Sequence, residues 1–273
     1  MKRLLYIILY IALAATASAQ EAIDTAQFVA VYDYECRTQD AEGTPVTDRM
    51  QLAVQVGRTV TKSMPLSAYQ RTDEITSADA AIEFQEAMLH MPTVWTGYPE
   101  GQTTVREFIF PHDYEGYEPT PEIVWTLTDD TLTVGGYYCQ TAMATHRGVA
   151  WTVCYTEDIP TSAGPWKLCG LPGLILKAET NDGIHRFTLA SLQRIASPIY
   201  SETNAITSKT TEEKLIKNRI KTFGNRLYPK NPYYYITVNL NRTADVTSTN
   251  EGMIINNVFV NDKAHVYQPL EAK

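Results

Sequence analysis

Apolar residues recur along much of this chain with a period of two, the mark of strands that bury one face. Met50, Leu52, Val54 and Val56 alternate with Gln51, Ala53 and Gln55, the clearest case. The pattern predicts a strand over 28–36, a turn at Gly43-Thr44-Pro45, the strand over 50–56, and a return beside it over 60–64. Strands are also expected over 103–110 and 123–128, separated by a solvated loop over 111–121 rich in proline, glycine and acidic residues. Segments 131–142 and 149–156 read as a hairpin with His146-Arg147-Gly148 near its tip. Segments 174–180 and 184–195 form the next pair, because Asp182-Gly183 lies between two apolar alternations.

Two stretches break the strand rhythm. Ser77 is placed to cap a helix over 78–90, with Asp79 in its first turn and Pro92 just beyond its end. Thr210 and Glu213 form a capping box for a helix over 211–223, with Gly224 as its terminating glycine. A last edge strand is expected over 233–238, followed by a polar, loosely held tail beyond Asn241. These elements define a mainly β (α+β) fold: a curved antiparallel sheet or half-open barrel with one or two packed helices.

The first residues read differently. Lys2 and Arg3 precede an apolar run over 4–15, and Ala17-Ser18-Ala19 is a small-x-small cleavage site. This predicts a signal peptide over 1–19 and a single domain over 20–273, in the periplasm, associated with the outer membrane, or secreted. No other segment is apolar enough to span a bilayer, so no transmembrane segment is expected in the mature chain. Without Lys2 and Arg3, the 23 basic residues fall to 21 against 31 acidic ones, a net charge of −10. That charge argues against nucleic acid as a partner.

The basic residues Lys209, Lys214, Lys217, Arg219, Lys221, Arg226 and Lys230 cluster around the late helix. They read as a solvated helix face whose Leu215, Ile216, Ile220 and Phe223 pack on the sheet, or as a contact for anionic lipid or an acidic partner.

Four cysteines, Cys36, Cys139, Cys154 and Cys169, lie in the mature part, and an oxidising compartment makes them disulfide candidates, with free buried thiols as the alternative. Cys36–Cys139 with Cys154–Cys169 is the preferred pairing, and Cys139–Cys154 across the hairpin competes with it. No Cys-x-x-Cys pair supports zinc, and no metal or other cofactor is expected. The chain also lacks a Gly-x-Ser-x-Gly elbow, a His-Glu-x-x-His helix and a phosphate-binding loop. His146 with Cys154 could be written as base and nucleophile, but both belong to one short hairpin. The loop His112-Asp113-Tyr114-Glu115 fits no calcium-loop spacing, and His185 reads as a strand-surface residue. The many tyrosines suit strands, and could also line a groove for sugar or peptide.

The most distinctive stretch is 159–176, and it ends in Gly170-Leu171-Pro172-Gly173-Leu174-Ile175. Pro172 suits the first central position of a type II turn, and Gly173 the second, where φ is positive. Gly170 would let the chain approach its neighbours closely. Leu174 and Ile175 then enter a buried strand, while Trp166 and Leu168 cover an end of the core. The set Pro165, Trp166, Lys167, Gly170, Leu171, Pro172, Gly173, Leu174 and Ile175 is thus a rigid turn or a partner-contact surface.

The same run resembles the motif that names the GLPGLI family of exported proteins from Gram-negative Bacteroidota. The likeness extends to Gly136-Tyr137-Tyr138-Cys139, Arg147-Gly148, Tyr155-Thr156-Glu157-Asp158, Gly164-Pro165-Trp166-Lys167-Leu168, and the closing Gln268-Pro269-Leu270-Glu271. Cys154 and Leu168 depart from the aromatics usual at those positions. The resemblance implies no established activity; some members are associated with outer-membrane nutrient receptors. The expectation is a non-enzymatic binding or accessory protein of the cell envelope, with a protein partner or an apolar or peptide ligand. An unfamiliar hydrolase or peptidase, or a periplasmic carrier of an apolar ligand, is the alternative.

Overall fold

A computed structural model describes residues 22–40, 42–70, 91–109, 112–201, 208–223, 246–248, 252–255, 258–261 and 266–272. The expected signal peptide, the helix over 78–90 and the strand over 233–238 lie outside these residues.

The strands in chain order are β1 (Ala22–Ala26), β2 (Phe28–Gln39), β3 (Pro45–Val56), β4 (Thr61–Pro65), β5 (Thr93–Thr96), β6 (Gln102–Ile109), β7 (His112–Pro119), β8 (Thr126–Val134), β9 (Tyr137–His146) and β10 (Val149–Thr156). They continue as β11 (Leu174–Thr180), β12 (His185–Gln193), β13 (Ser197–Tyr200), β14 (Ser208–Thr211), β15 (Val246–Ser248), β16 (Gly252–Ile255) and β17 (Val258–Asn261). Among the described residues the helices are α1 (Leu66–Gln70) and α2 (Glu212–Phe223).

A twelve-stranded sheet runs in the order β14-β7-β6-β5-β4-β3-β2-β12-β11-β10-β9-β8. All its neighbours are antiparallel except β14 and β7. The sheet does not close, so β14 and β8 are its two edges. The expected mainly β class, a large sheet with few helices, is what the chain forms. β1 with β13, and β15 to β17, make small separate sheets.

The central pair shows how period two sets register. Ala30, Tyr32 and Tyr34 of β2 stand opposite Val54, Leu52 and Met50 of β3. Slipping this pair by one residue would turn that whole apolar row to the other face. The sheet curls over its core. Ser63 on β4 is five places from β10 in strand order, yet its Oγ accepts the backbone N–H of Trp166, in the loop after β10, at 3.1 Å. Tyr32 likewise donates its hydroxyl to the Ile175 carbonyl at 2.7 Å. Trp95, Trp151 and Trp166 are among the largest fully buried side chains.

Several expectations need correction. The supposed loop over 111–121 is mostly strand β7. Its acids are not solvated: Glu115 and Glu118 are buried, and Asp113 pairs with Arg106. The strand expected over 123–128 starts at Thr126 and continues to Val134. It turns into β9 at Gly135-Gly136, where both residues have positive φ, as a tight hairpin turn requires. The expected strand 131–142 is therefore two strands. The tip at Arg147-Gly148 is as expected, with φ of 50° and 81°. The late helix forms with Leu215 and Ile216 buried, but Thr211 rather than Thr210 caps it, its Oγ1 accepting the Lys214 N–H at 3.4 Å.

Of the tail beyond Asn241, residues 266–272 are not loosely held. The Val266 N–H bonds to the Gln39 carbonyl at 2.8 Å, and the Ala272 N–H to the Arg147 carbonyl at 2.9 Å. Leu270 and Glu271 are buried. A polar tail docks here because its carboxylate finds buried cations.

Candidate functional site

Residues 157–173, between β10 and β11, form an irregular loop, and nearly all its apolar members are in the core. Trp166, Leu168 and Leu171 are buried at 1%, 1% and 3% exposure. These values decide between turn and contact surface for those side chains: they are core. Of the motif residues, Pro172 and Gly170 are exposed, while Pro165, Gly173, Leu174 and Ile175 are buried.

The glycines act differently from expectation. Gly173 does not have positive φ, so the type II turn over 171–174 is not formed. A Cβ there would lie 2.0 Å from the Thr156 carbonyl oxygen, so Gly173 serves close approach. Gly170 takes the left-handed conformation, at φ 97°. Trp166 is left-handed too, at φ 56°, which is uncommon for a bulky residue.

Lys167 is the residue the sequence reading placed least well. Its side chain has no solvent exposure. Its Nζ donates to Glu212 Oε1 at 2.7 Å and to Glu271 Oε1 and Oε2 at 2.8 and 2.9 Å, and lies 3.3 Å from Glu118 Oε1. Arg219 of α2 donates its Nε to Glu107 at 2.6 Å and its Nη1 to Glu271 at 3.1 Å. Arg147, at the hairpin tip, pairs with Glu118. Four carboxylates thus surround three cations, bringing together β6, β7, the hairpin tip, the motif loop, α2 and the chain's end. Burial on this scale is tolerated because every charge has an opposite neighbour.

The excess carboxylate shows in the acid–base balance. Burial raises the pKa of Glu212, helped by Glu271 and opposed by Lys167. Burial acts the same way on Glu271, but Lys167 and Arg219 outweigh it and hold that group well below the usual carboxylate range. Of these two, Glu212 is therefore the one that holds a proton more readily.

The other titratable candidates are equally enclosed. Burial lowers the pKa of His146, whose ring packs edge-on to Trp166 at 6.0 Å. His146 and Cys154 are not brought together. The register sets Ala142 opposite Val153 and Thr141 opposite Cys154, so His146, in phase with Ala142, points to the other sheet face from Cys154. His185 is not on the surface: its Nδ1 bonds the Tyr34 hydroxyl at 2.8 Å, and its Nε2 meets the Pro269 carbonyl at 3.2 Å. The cysteines are free thiols, and neither expected pairing is formed. Cys139 and Cys154 share a hydrogen bond, and burial pushes Cys154 up. Burial also raises Cys36 to about 12 and Cys169 to about 11. Among the described residues no cluster of metal-binding side chains occurs, and no helix is long and apolar enough to cross a membrane.

Beside the loop lies a cavity of about 420 Å³, bounded by Thr59 and Thr61, Thr96 and Gly97, residues 120–123, and the loop residues 162–164, 166 and 168–170. Trp166 and Leu168 form part of its wall. Its lining holds no lysine, arginine or histidine, and Glu122 is its one charged member.

A family described as "Protein of unknown function (Porph_ging)" matches residues 146–177, from the hairpin tip through the loop into β11. The motif resemblance falls largely within this stretch. No curated protein matches the chain. Among solved structures, PNGF-II in a P21 crystal is similar at 14% identity with a TM-score of 0.51, over 73% of this chain and 34% of that one. Its C2 crystal form gives 13% identity and a TM-score of 0.46, over 71% and 33%. This chain spans about a third of that protein's length, and the likeness to the first form is one of fold.

Proposed function

We propose that this is an exported protein of the cell envelope that binds a ligand or partner without chemically changing it. One contrast carries the reading. The groups with acid–base potential, Lys167, Glu118, Glu212 and Glu271, are sealed inside, with the three carboxylates ion-paired to the lysine. The cavity beside them offers hydroxyls and apolar surface, and its thiol, Cys169, is pushed up to about 11 by burial, far from a thiolate at neutral pH. A binding surface needs no more than that, whereas turnover needs a positioned nucleophile or base. Export rests on the leader-like first 19 residues.

Native mass spectrometry of protein purified from its own envelope tests the reading. A stoichiometric co-purifying species, released unchanged on unfolding, is the expected result. Turnover of any screened substrate that Lys167→Met or Cys169→Ser abolishes, with melting still cooperative, would overturn it.

A further inference from the structure

We propose that segment 266–272 is a strap whose docking beside the motif loop takes up one proton, so that the strap loosens as pH rises. This goes beyond the binding reading and stands whether or not the protein holds a ligand.

The strap belongs to no strand of the three sheets and is tied at few points. The Val266 N–H bonds the Gln39 carbonyl at 2.8 Å, and the Ala272 N–H bonds the Arg147 carbonyl at 2.9 Å. The Thr38 hydroxyl donates to the Val266 carbonyl, and His185 Nε2 meets the Pro269 carbonyl at 3.2 Å. The strap thus runs from the end of β2 to the tip between β9 and β10. A segment with so few main-chain bonds opens locally at less cost than the sheet does. Its one charged side chain, Glu271, is buried.

Without the strap, the cations Lys167, Arg147 and Arg219 face the carboxylates Glu107, Glu118 and Glu212. Docking adds the carboxylate of Glu271 and no cation. One proton restores the balance, and the hydrogen bonds show where it belongs. A lysine ammonium has three N–H groups. Lys167 gives one to Glu212 Oε1 at 2.7 Å and two to Glu271 at 2.8 and 2.9 Å. Both oxygens of Glu271 accept, which favours its ionised form. Two buried carboxyl oxygens of the cluster accept nothing: Glu118 Oε1 and Glu212 Oε2. Glu118 has Arg147 on its other oxygen, whereas the next cation from Glu212, Arg219 Nη2, stands 3.9 Å away. Glu212 Oε2 packs instead on Gly116, where a Cβ would come within 2.5 Å of it. Glu212 is therefore the seat of the proton. Burial raises its pKa against the pull of Lys167, and Glu271 raises it further. Undocking removes Glu271, leaves Lys167 to Glu212, and releases the proton.

The other groups around the strap are accounted for. Burial keeps His146 and the strap's own Tyr267 uncharged. His185 lies under Pro269, and Glu213 and Lys214 of α2 are exposed.

The test uses the full mature chain with its glutamate carboxyls labelled with carbon-13, and pairs NMR titration with hydrogen exchange below pH 9. The Glu212 resonance, identified by its loss in Glu212→Gln, should titrate above the usual carboxylate range and move back towards it in Glu271→Gln. Strap amides should exchange faster than those of β2 and β3, which marks local opening. Corrected for intrinsic exchange, strap opening should rise with pH by up to tenfold per unit, the slope of one proton. It should level off once Glu212 has titrated in the docked state. Glu212→Gln, which mimics the protonated acid, should remove that rise. His146 contributes alike to both proteins, so the difference between their slopes isolates Glu212. If Glu271→Gln fails to fold, wild type against Glu212→Gln still decides. A strap that exchanges only together with β2 and β3 overturns the proposal, as does opening that does not change with pH. A slope that survives Glu212→Gln, or a Glu212 titration unmoved in a folded Glu271→Gln, overturns the coupling.

Discussion

Lys167 Nζ lies 2.8 Å from Glu271 Oε1, joining residues 104 apart in sequence, and neither side chain is exposed. The pair fastens the last residues of the chain to the motif loop. Lys167→Met removes the cation and leaves Glu212 and Glu271 buried with less compensation. Removing one partner of a buried pair costs about 3–5 kcal/mol. In a domain this large each kcal/mol shifts Tm by about 2–4 °C. Cooperative melting should therefore fall by about 6–20 °C, and removing residues 269–273 should do comparable damage. A Lys167→Met protein with an unchanged urea midpoint would show that the contact is not holding the chain's end.

The two carboxylates on Lys167 give stability opposite dependences on pH. Glu271 has a lowered pKa in the fold, so its contribution is present above the ordinary value near 4.3 and is lost as pH falls below it. Glu212 has a raised pKa, so the folded chain keeps a proton that the unfolded chain has released. Its contribution therefore declines as pH climbs from about 4.3 through the raised value. His146, held neutral by burial, adds a loss as pH falls below about 6.5. Urea midpoints measured across pH should show Glu212→Gln removing the decline on the alkaline side. Glu271→Gln should instead remove part of the loss on the acid side while lowering stability throughout. Parallel profiles for wild type and Glu212→Gln would contradict the assignment of the extra proton.

These residues also mark where sequence reading stopped. Period two located most of the sheet because each strand's burial is a local property of its own residues. Asp-Gly and Arg147-Gly148 fixed turns for the same reason. Lys167 read only as part of a rigid turn or a contact surface because a lysine's burial depends on partners 45 and 104 residues away. No local pattern carries that information. Strand β7 was misread because its acids suggested solvent, whereas Glu118 faces Arg147 and Lys167. The one available signal was the closing Gln268-Pro269-Leu270-Glu271, a specified sequence in a tail that otherwise looked unstructured. In the Gly-Leu-Pro-Gly run the two glycines exchanged roles, since close approach and positive φ cannot be told apart without the neighbouring strand.

That exchange is testable. Ala at position 170 must adopt a left-handed conformation, at a cost of about 1–2 kcal/mol, but meets only the edge of Trp125 at 3.7 Å. Ala at position 173 has no such backbone conflict, yet its Cβ would lie 2.0 Å from the Thr156 carbonyl oxygen. Backbone cannot yield as a side chain can, so the end of β10 must move away from the start of β11. Gly173→Ala should be the more destabilising of the two, by about 2–3 kcal/mol or more. Equal urea midpoints would put the two glycines back on the same footing.

The open edge at β8 has its own safeguard. Thr126↔Met143 and Leu127↔Ala142 are in register with β9, and pairing resumes only at Thr131↔Gln140. Residues 128–130 therefore bulge opposite Thr141, whose Oγ1 donates to the Asp130 carbonyl at 2.9 Å. The bulge and the exposed Asp129 and Asp130 interrupt an edge that otherwise shows Leu127 at 59% and Leu132 at 36% exposure. Bulges and edge charges are the devices that keep open sheets from pairing with each other. Asp129→Thr with Asp130→Val keeps strand propensity and removes both charges. The double variant should self-associate as concentration rises, with hydrogen-exchange protection appearing on the 126–134 amides, while the wild type stays unassociated under the same conditions. If sedimentation shows the variant and the wild type behaving alike, the aspartates are not what guards this edge.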